Sequence, residues 1–213
     1  MTAADLPADP SEPSRSLEVE LKFDADEGTP LPDMTGLPGI AAVAAAEERE
    51  LDARYFDTDE FALAAAGHAL RRRSGGPDAG WHIKGPRIGG GRVELGWPLE
   101  DTSEDAVPDV VRAAVAELTD AELHLIARII NHRTAYALLG PDDRVVAEFV
   151  DDRVTATDVR TGAVRAWREW EIELGPAAPE DPREFFAAVE EAVLAAGGRA
   201  AASASKLARA LGY

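Results

Sequence analysis

The chain has 213 residues, 46% of them hydrophobic, enough for one domain with a sizeable core, and no cysteine, which excludes a disulfide framework and a thiolate metal site. Its 40 acidic residues against 22 basic ones give a net charge of −18, which argues against nonspecific attraction to nucleic acid or an anionic membrane but leaves room for a small anion held by an interior cluster of Arg and Lys. No apolar run is long enough to span a bilayer and the N-terminus lacks the basic and apolar regions of a signal peptide, so the cytoplasm is the expected compartment.

Residues 1–15, with Pro7, Pro10 and Pro13 among Ser, Asp and Glu, predict a disordered leader. Leu17 to Phe23 then alternates strictly between apolar and charged residues, the period of a β-strand. Glu18, Glu20 and Lys22 share one face, each about 7 Å from the next on a strand rising roughly 3.3 Å per residue. Two adjacent carboxylates repel unless a cation sits between them, which suits a divalent metal and leaves the lysine to meet an anion. Asp24 to Gly39 is rich in Pro and Gly and reads as a loop. Ala41 to Glu50 stays open, since its Ala and Glu content favours helix.

Thr58 or Asp59 is placed to cap a short helix over 61–66 that stops at Gly67. Strands follow at Ala69–Arg73 and Trp81–Lys84, joined by a Ser-Gly-Gly-Pro-Asp turn, and a third at Arg92–Leu95 after Gly89-Gly90-Gly91. That glycine run joins two strands and lacks a following Lys-Ser/Thr, so it is not a phosphate loop. The spacing over 105–117 predicts a helix with Pro108 in its first turn, and Thr119 to Glu122 resembles a second helix start. From about Arg128 the pattern is strand. Arg144–Val150, Val154–Val159 and Ala166–Leu174 read as three further antiparallel strands, the first two joined at Asp151-Asp152 and the last two at Thr161-Gly162. Asp181 caps a helix over 182–196, ended by Gly197-Gly198, and a short helix over 205–211 closes the chain. No internal repeat or second domain is visible.

Parity sorts these strands consistently. Arg71 and Arg73 share a face, His82 and Lys84 oppose Trp81 and Ile83, and Arg92 and Glu94 oppose Val93 and Leu95. Glu148 and Asp152 fall together, as do Glu169, Glu171 and Glu173 opposite Trp170 and Ile172. A solvated face explains any single strand. Repeated over nearly all of them, Arg pairs and Glu triplets predict instead a closed barrel with a charged lumen and helices packed outside. Such a lumen must bind something, because buried like charges are costly unless paired or metal-bound. Arg72, off this face, is expected in solvent. The four histidines lack metal spacing and read as surface or packing residues. Trp97, Trp167 and Trp170 are expected in the wall.

Glu18-x-Glu20-x-Lys22 resembles the ExExK signature of the CYTH superfamily, the triphosphate tunnel metalloenzymes. Tyr55-Phe56-Asp57-Thr58, Leu70-Arg71-Arg72-Arg73, the strand ending at Lys84, Arg92-x-Glu94, Arg133, Glu148 with Asp152, Glu169-x-Glu171-x-Glu173 and Ser205-Lys206 follow in family order, so the likeness covers residues 17–213. It implies an α+β fold, a closed antiparallel eight-stranded β-barrel forming a triphosphate tunnel over 16–213, with a long strand running from Glu50 into Tyr55. It also implies that Lys22, Arg71, Arg73, Lys84, Arg92, Arg133 and Lys206 bind the phosphates, with Arg favoured for bidentate contacts.

The carboxylates suit Mg²⁺ or Mn²⁺: Glu18, Glu20, Glu171 and Glu173 as ligands, with Glu169, Glu148 and Asp152 as outer or second-metal ligands. Glu20, Glu171 and Lys22 are the candidate catalytic residues, and Glu94 is expected in a structural ion pair with Arg92 or a neighbour. The resemblance implies a metal-dependent hydrolase of inorganic triphosphate. A polyphosphate-binding module, a class IV-type adenylyl cyclase and a thiamine triphosphatase are the alternatives. The family often occurs fused to a CHAD domain, and the C-terminal end resembles the junction to one.

Overall fold

The computed structural model describes residues 12–99 and 106–213. Among the described residues, eleven strands form one antiparallel sheet. They are β1 (Ser14–Glu18), β2 (Glu20–Ala25), β3 (Ala42–Val43), β4 (Glu47–Asp57), β5 (Ala69–Ser74), β6 (Gly80–Ile88), β7 (Gly91–Trp97), β8 (His124–Leu139), β9 (Val145–Asp158), β10 (Val164–Leu174) and β11 (Arg199–Ala200). Four helices accompany them among the described residues: α1 (Ala62–Ala65), α2 (Asp109–Ala114), α3 (Arg183–Ala196) and α4 (Lys206–Leu211).

Of the leader expected at 1–15, residues 1–11 lie outside the described part, and Ser14 and Arg15 belong to β1. The N-terminal alternation folds as two strands. β1 pairs with β7, the pattern breaks at Val19, and β2 pairs with β10. The sheet path runs β1-β7-β6-β5-β4-β8-β9-β10-β2-β11, with β3 paired to β8. The closed eight-stranded barrel is therefore not what forms. The sheet has eleven strands and its ladder is open, and its two ends are linked through the chain at Val19. Because one residue separates β1 from β2, the sheet must curl until its ends approach, which gives it an inner and an outer face.

Several local expectations also change. The undecided stretch 41–50 enters β3 and β4 rather than a helix, because β8 offers it a pairing edge (Ala42 to Leu139, Glu47 to Ala135). No turn forms at Asp151-Asp152: β9 runs unbroken, with no Gly or Pro to end it, and the two acids point to opposite faces where each finds cationic partners. No second helix follows Thr119, and β8 begins at His124. A turn does form at Gly75, whose φ is +78° and where a Cβ would lie 1.9 Å from the Glu50 carbonyl.

The outer face carries two apolar clusters. Phe56, Leu70, Trp81 and Trp97 pack with Leu63 of α1 and Val111 of α2, and Phe23, Phe149, Trp170 and Ile172 pack with Phe185, Val189 and Val193 of α3. α1 is started by side chains just before it: Asp57 accepts from the Leu63 and Ala64 amides (2.9 and 3.0 Å) and Thr58 Oγ1 from Ala62 (3.0 Å). α4 is the exception to helices outside. Leu207 and Ala210 pack with Ala53, Tyr55, Ile129, Val154 and Ala156, and Ala53, Tyr55, Ile129 and Leu207 also line the interior cavity, so α4 sits on the inner face. No described helix is long and apolar enough to cross a membrane.

Candidate functional site

The inner face encloses a cavity of about 210 Å³, lined from β1, β2, β4 to β10 and the start of α4. Eight of the chain's 22 basic residues line it, and so do all three of its lysines, Lys22, Lys84 and Lys206. Every cation on the remaining surface is arginine. Each of the three ammonium groups sits between carboxylates.

One wall is built from β2, β8, β9, β10 and α4. Lys22 and Glu171 are register partners, and the Lys22 ammonium touches Glu171 and lies 2.7 Å from Glu20. Lys206 Nζ lies 2.9 Å from Asp152, 2.6 Å from Glu169 and 2.9 Å from Glu171. Arg133 forks onto Asp152 at 2.8 and 2.7 Å and reaches Glu171 at 2.9 Å. Arg49 forks onto Glu148, both bonds 3.0 Å. Burial works against the charges of Asp152 and Glu171, yet the cations hold Glu171 well below, and Asp152 below, their usual carboxylate ranges. In return the carboxylates hold Lys22 up and Lys206 well up.

The facing wall comes from β1 and β5 to β7. Lys84 sits 2.7 Å from both Glu18 oxygens and 3.0 Å from Glu94. Glu94 also meets His82 Nδ1 at 2.5 Å and Arg71 at 3.8 Å. The ion pair expected for Glu94 is thus made with Lys84 and Arg71, and His82 hydrogen-bonds to the same carboxylate. His82 is buried, and burial ahead of the neighbouring Arg71 and Arg73 lowers its pKa against the pull of Glu94.

Charge compensation is incomplete at two places. The Nε atoms of Arg71, Arg73 and Arg92 are buried with no hydrogen-bond partner among the described residues. Burial, then repulsion from Arg71 and Arg133, brings Arg73 down to about 9, and its contact with half-exposed Asp78 at the rim is too solvated to offset this. At the other place Glu173 makes no ion pair among the described residues. Confinement in the cavity wall, then Glu18, with Glu20 and Glu171 adding to it, pushes its carboxyl up to about 7, although its surface still opens to solvent, which moderates the effect. A surplus of cations on one wall fits an anion, and a crowded carboxylate on the other fits a cation.

Of the expected site residues, Glu18, Glu20, Lys22, Arg71, Arg73, Lys84, Arg92, Arg133, Glu148, Glu171, Glu173 and Lys206 all line the cavity. Asp152 and Glu169 are buried behind it, joined to it through Lys206. Arg72 is buried rather than solvated, and His82 is an interior hydrogen-bonding residue. Arg49, Tyr55, Asn131 and Asp78 also line the cavity and were not singled out for it by parity. On β4 the inward positions after Arg49 are Leu51, Ala53 and Tyr55, so the rule that charged residues face inward fails where α4 covers the sheet. The alternation of Arg49 with Leu51 was the available signal.

The structure is a curled antiparallel sheet enclosing a cavity with one basic and one acidic wall. The CYTH domain family model matches residues 16–210, and the chain belongs to that family. It is 38% identical over 220 residues to an uncharacterized protein of Mycobacterium tuberculosis, found alike in strains CDC 1551/Oshkosh and H37Rv, with 97% of this chain and 42% of the relative covered. The chain therefore spans less than half the length of those relatives. Among solved structures, a candidate adenylate cyclase from Bacillus halodurans matches with TM-score 0.62 and 16% identity, covering 92% of this chain and 97% of that one. A candidate adenylyl cyclase from Hippeastrum, with a dominant triphosphatase activity, matches with TM-score 0.55 and 18% identity, covering 92% and 94%. These likenesses establish the shared fold.

Proposed function

We propose that this domain is a metal-dependent hydrolase that releases the terminal phosphate of inorganic triphosphate. The observation that carries this reading is the set of cavity-lining arginines Arg71, Arg73 and Arg92, whose buried Nε atoms have no hydrogen-bond partner among the described residues, facing a wall of carboxylates across one cavity. Guanidinium N–H groups suit phosphate oxygens, and burial in a low dielectric strengthens each contact.

The donor set fits a hard divalent cation such as Mg²⁺ or Mn²⁺. Glu18, Glu20, Glu171 and Glu173 line the cavity, and behind it the oxygens of Asp152, Glu169 and Glu171 lie within 4.8 Å of one another, a position an ion could take only by displacing the Lys206 ammonium. When bound by these oxygens, such an ion would neutralise phosphate charge. The protein's own residues do the rest. Arg71, Arg73, Arg92 and Lys84 hold the chain of phosphates. Glu20 and Glu171 orient the attacking water in line with the terminal phosphorus, and the ammonium of Lys22, held between them, faces the charge that builds on the transferring group. Ser205, which caps α4, and Leu207 exclude bulk water from one side.

A second reading, a polyphosphate-binding module without turnover, is favoured by one observation: Lys206 already sits among Asp152, Glu169 and Glu171. An associated CHAD domain belongs to that reading. Phosphate release from triphosphate, ATP, thiamine triphosphate and polyphosphate, each with Mg²⁺, Mn²⁺ or chelator, decides between them. Turnover of triphosphate above the others supports the hydrolase. Preference for ATP or thiamine triphosphate reassigns the substrate, and tight binding with no release in any case establishes the module.

A further inference from the structure

α4 has six residues, too few to hold together by itself. Its N-cap is made by Ser205, whose Oγ accepts from the Ala208 amide at 3.1 Å, and Arg165 donates to the Ala210 carbonyl at 2.7 Å. Leu207 and Ala210 pack on the inner face. A further contact comes from Arg209. It follows Lys206 by three positions, so the two side chains leave the same flank of the helix about 4.5 Å apart along its axis. Arg209 Nη1 lies 2.5 Å from Asp24 Oδ1, its guanidinium stacks 4.8 Å over the Trp167 ring, and the second Asp24 oxygen accepts from the Ala202 amide at 3.1 Å.

Asp24 is a register partner of Glu169, as Lys22 is of Glu171. The helix thus meets two successive rungs of the β2–β10 ladder, Arg209 at Asp24 and Lys206 at Glu169 and Glu171. We propose that the Arg209–Asp24 ion pair is the positioning device that fixes α4 in register on the inner face and so holds Lys206 in the cavity. Neither residue lines the cavity, so both act through Lys206.

The chain's three lysines make this directly measurable, because amine acylation read by mass spectrometry reports only on Lys22, Lys84, Lys206 and the N-terminus. Arg209→Ala and Asp24→Asn should each raise the acylation rate of Lys206 by about fivefold or more, as local release of a short element allows, with Lys22 and Lys84 changed by less than about twofold. Arg209→Lys, which keeps the charge but loses the broad stacking plane, should fall between. Calorimetric triphosphate binding adds a second arm, which rests on the function proposed above. There Arg209→Ala should weaken Kd by about tenfold, and should cost nothing further in a Lys206→Ala background if it acts only through Lys206. Unchanged Lys206 acylation in Asp24→Asn, or a full additional loss in the double variant, overturns the proposal. Should Arg209→Ala fail to fold, Asp24→Asn and Arg209→Lys carry the same comparison. If the unaltered protein does not bind triphosphate, the proposed function fails while the acylation arm still decides the positioning.

Discussion

Lys22 and Glu171 stand opposite one another as register partners on β2 and β10, and their side chains are in direct contact inside the cavity. The second oxygen of Glu171 takes Arg133 at 2.9 Å, and Lys206 approaches from α4. One carboxylate therefore joins three cations from three elements.

Glu171→Gln keeps the size and hydrogen-bonding reach of that side chain but removes its charge. Metal-dependent phosphate release should fall by at least about 10²-fold, roughly 3 kcal/mol. Triphosphate binding without metal should hold or tighten, because the arginine wall is intact and less negative charge faces it. Steady-state release and calorimetry on both proteins check this, and hydrolysis equal to the unaltered protein's would remove Glu171 from the site.

The arginine triplet offers a contrast within three consecutive residues. Arg71→Ala and Arg73→Ala should each weaken triphosphate binding by about ten- to a hundredfold, the range for losing a charge-assisted contact. Arg72 is buried but does not line the cavity, so Arg72→Ala should lower the melting temperature and leave Kd within about threefold. Equal losses of affinity at all three positions would contradict the strand geometry.

Leu207→Ala tests the placement of α4. Leu207 is 8% exposed and packs with Ala53, Tyr55, Ile129 and Val154 on the inner face. Deleting those methyl groups should cost about 2–4 kcal/mol in urea unfolding. A cost below about 0.5 kcal/mol would contradict this packing.

The metal-free protein should show two opposing dependences on pH. Glu173, raised to about 7 from 4.5, ionises in the unfolded chain before the folded one, so its contribution is full below 4.5 and is lost as pH rises toward 7. Glu171 and Asp152 are depressed below 4.5 and 3.8, so their contribution is present above those values and is lost as pH falls through them. The melting temperature should therefore pass through a maximum between these limits. Glu173→Gln should flatten the neutral limb and Glu171→Gln the acid limb, both read by scanning calorimetry across pH in chelator. A midpoint that rises steadily up to pH 7 would contradict the placement of Glu173.

The period-2 alternation by itself placed Glu18, Glu20, Lys22, Arg71, Arg73, Lys84, Arg92, Glu171 and Glu173 together on the inner face, because the direction of a side chain on a strand is set by its nearest neighbours in the chain. The order of motifs likewise pointed to the family. Other features had no local signature. Asp151 and Asp152 resemble a turn until β8 and β10 pair on both sides of them and separate their partners across the sheet. The open, eleven-stranded ladder depends on the chain leaving β7 and joining β10 across the single residue Val19, which alternation does not register. The burial of Arg72 and the inward seat of α4 depend in the same way on surfaces built by distant strands. Lys206 gains its place from Asp152, Glu169 and Glu171, dozens of residues away in the chain, and from Arg209 meeting Asp24, 185 positions apart. Local patterning decides which way a side chain faces, whereas its partner is decided only when tertiary contacts repay the entropy of bringing distant segments together.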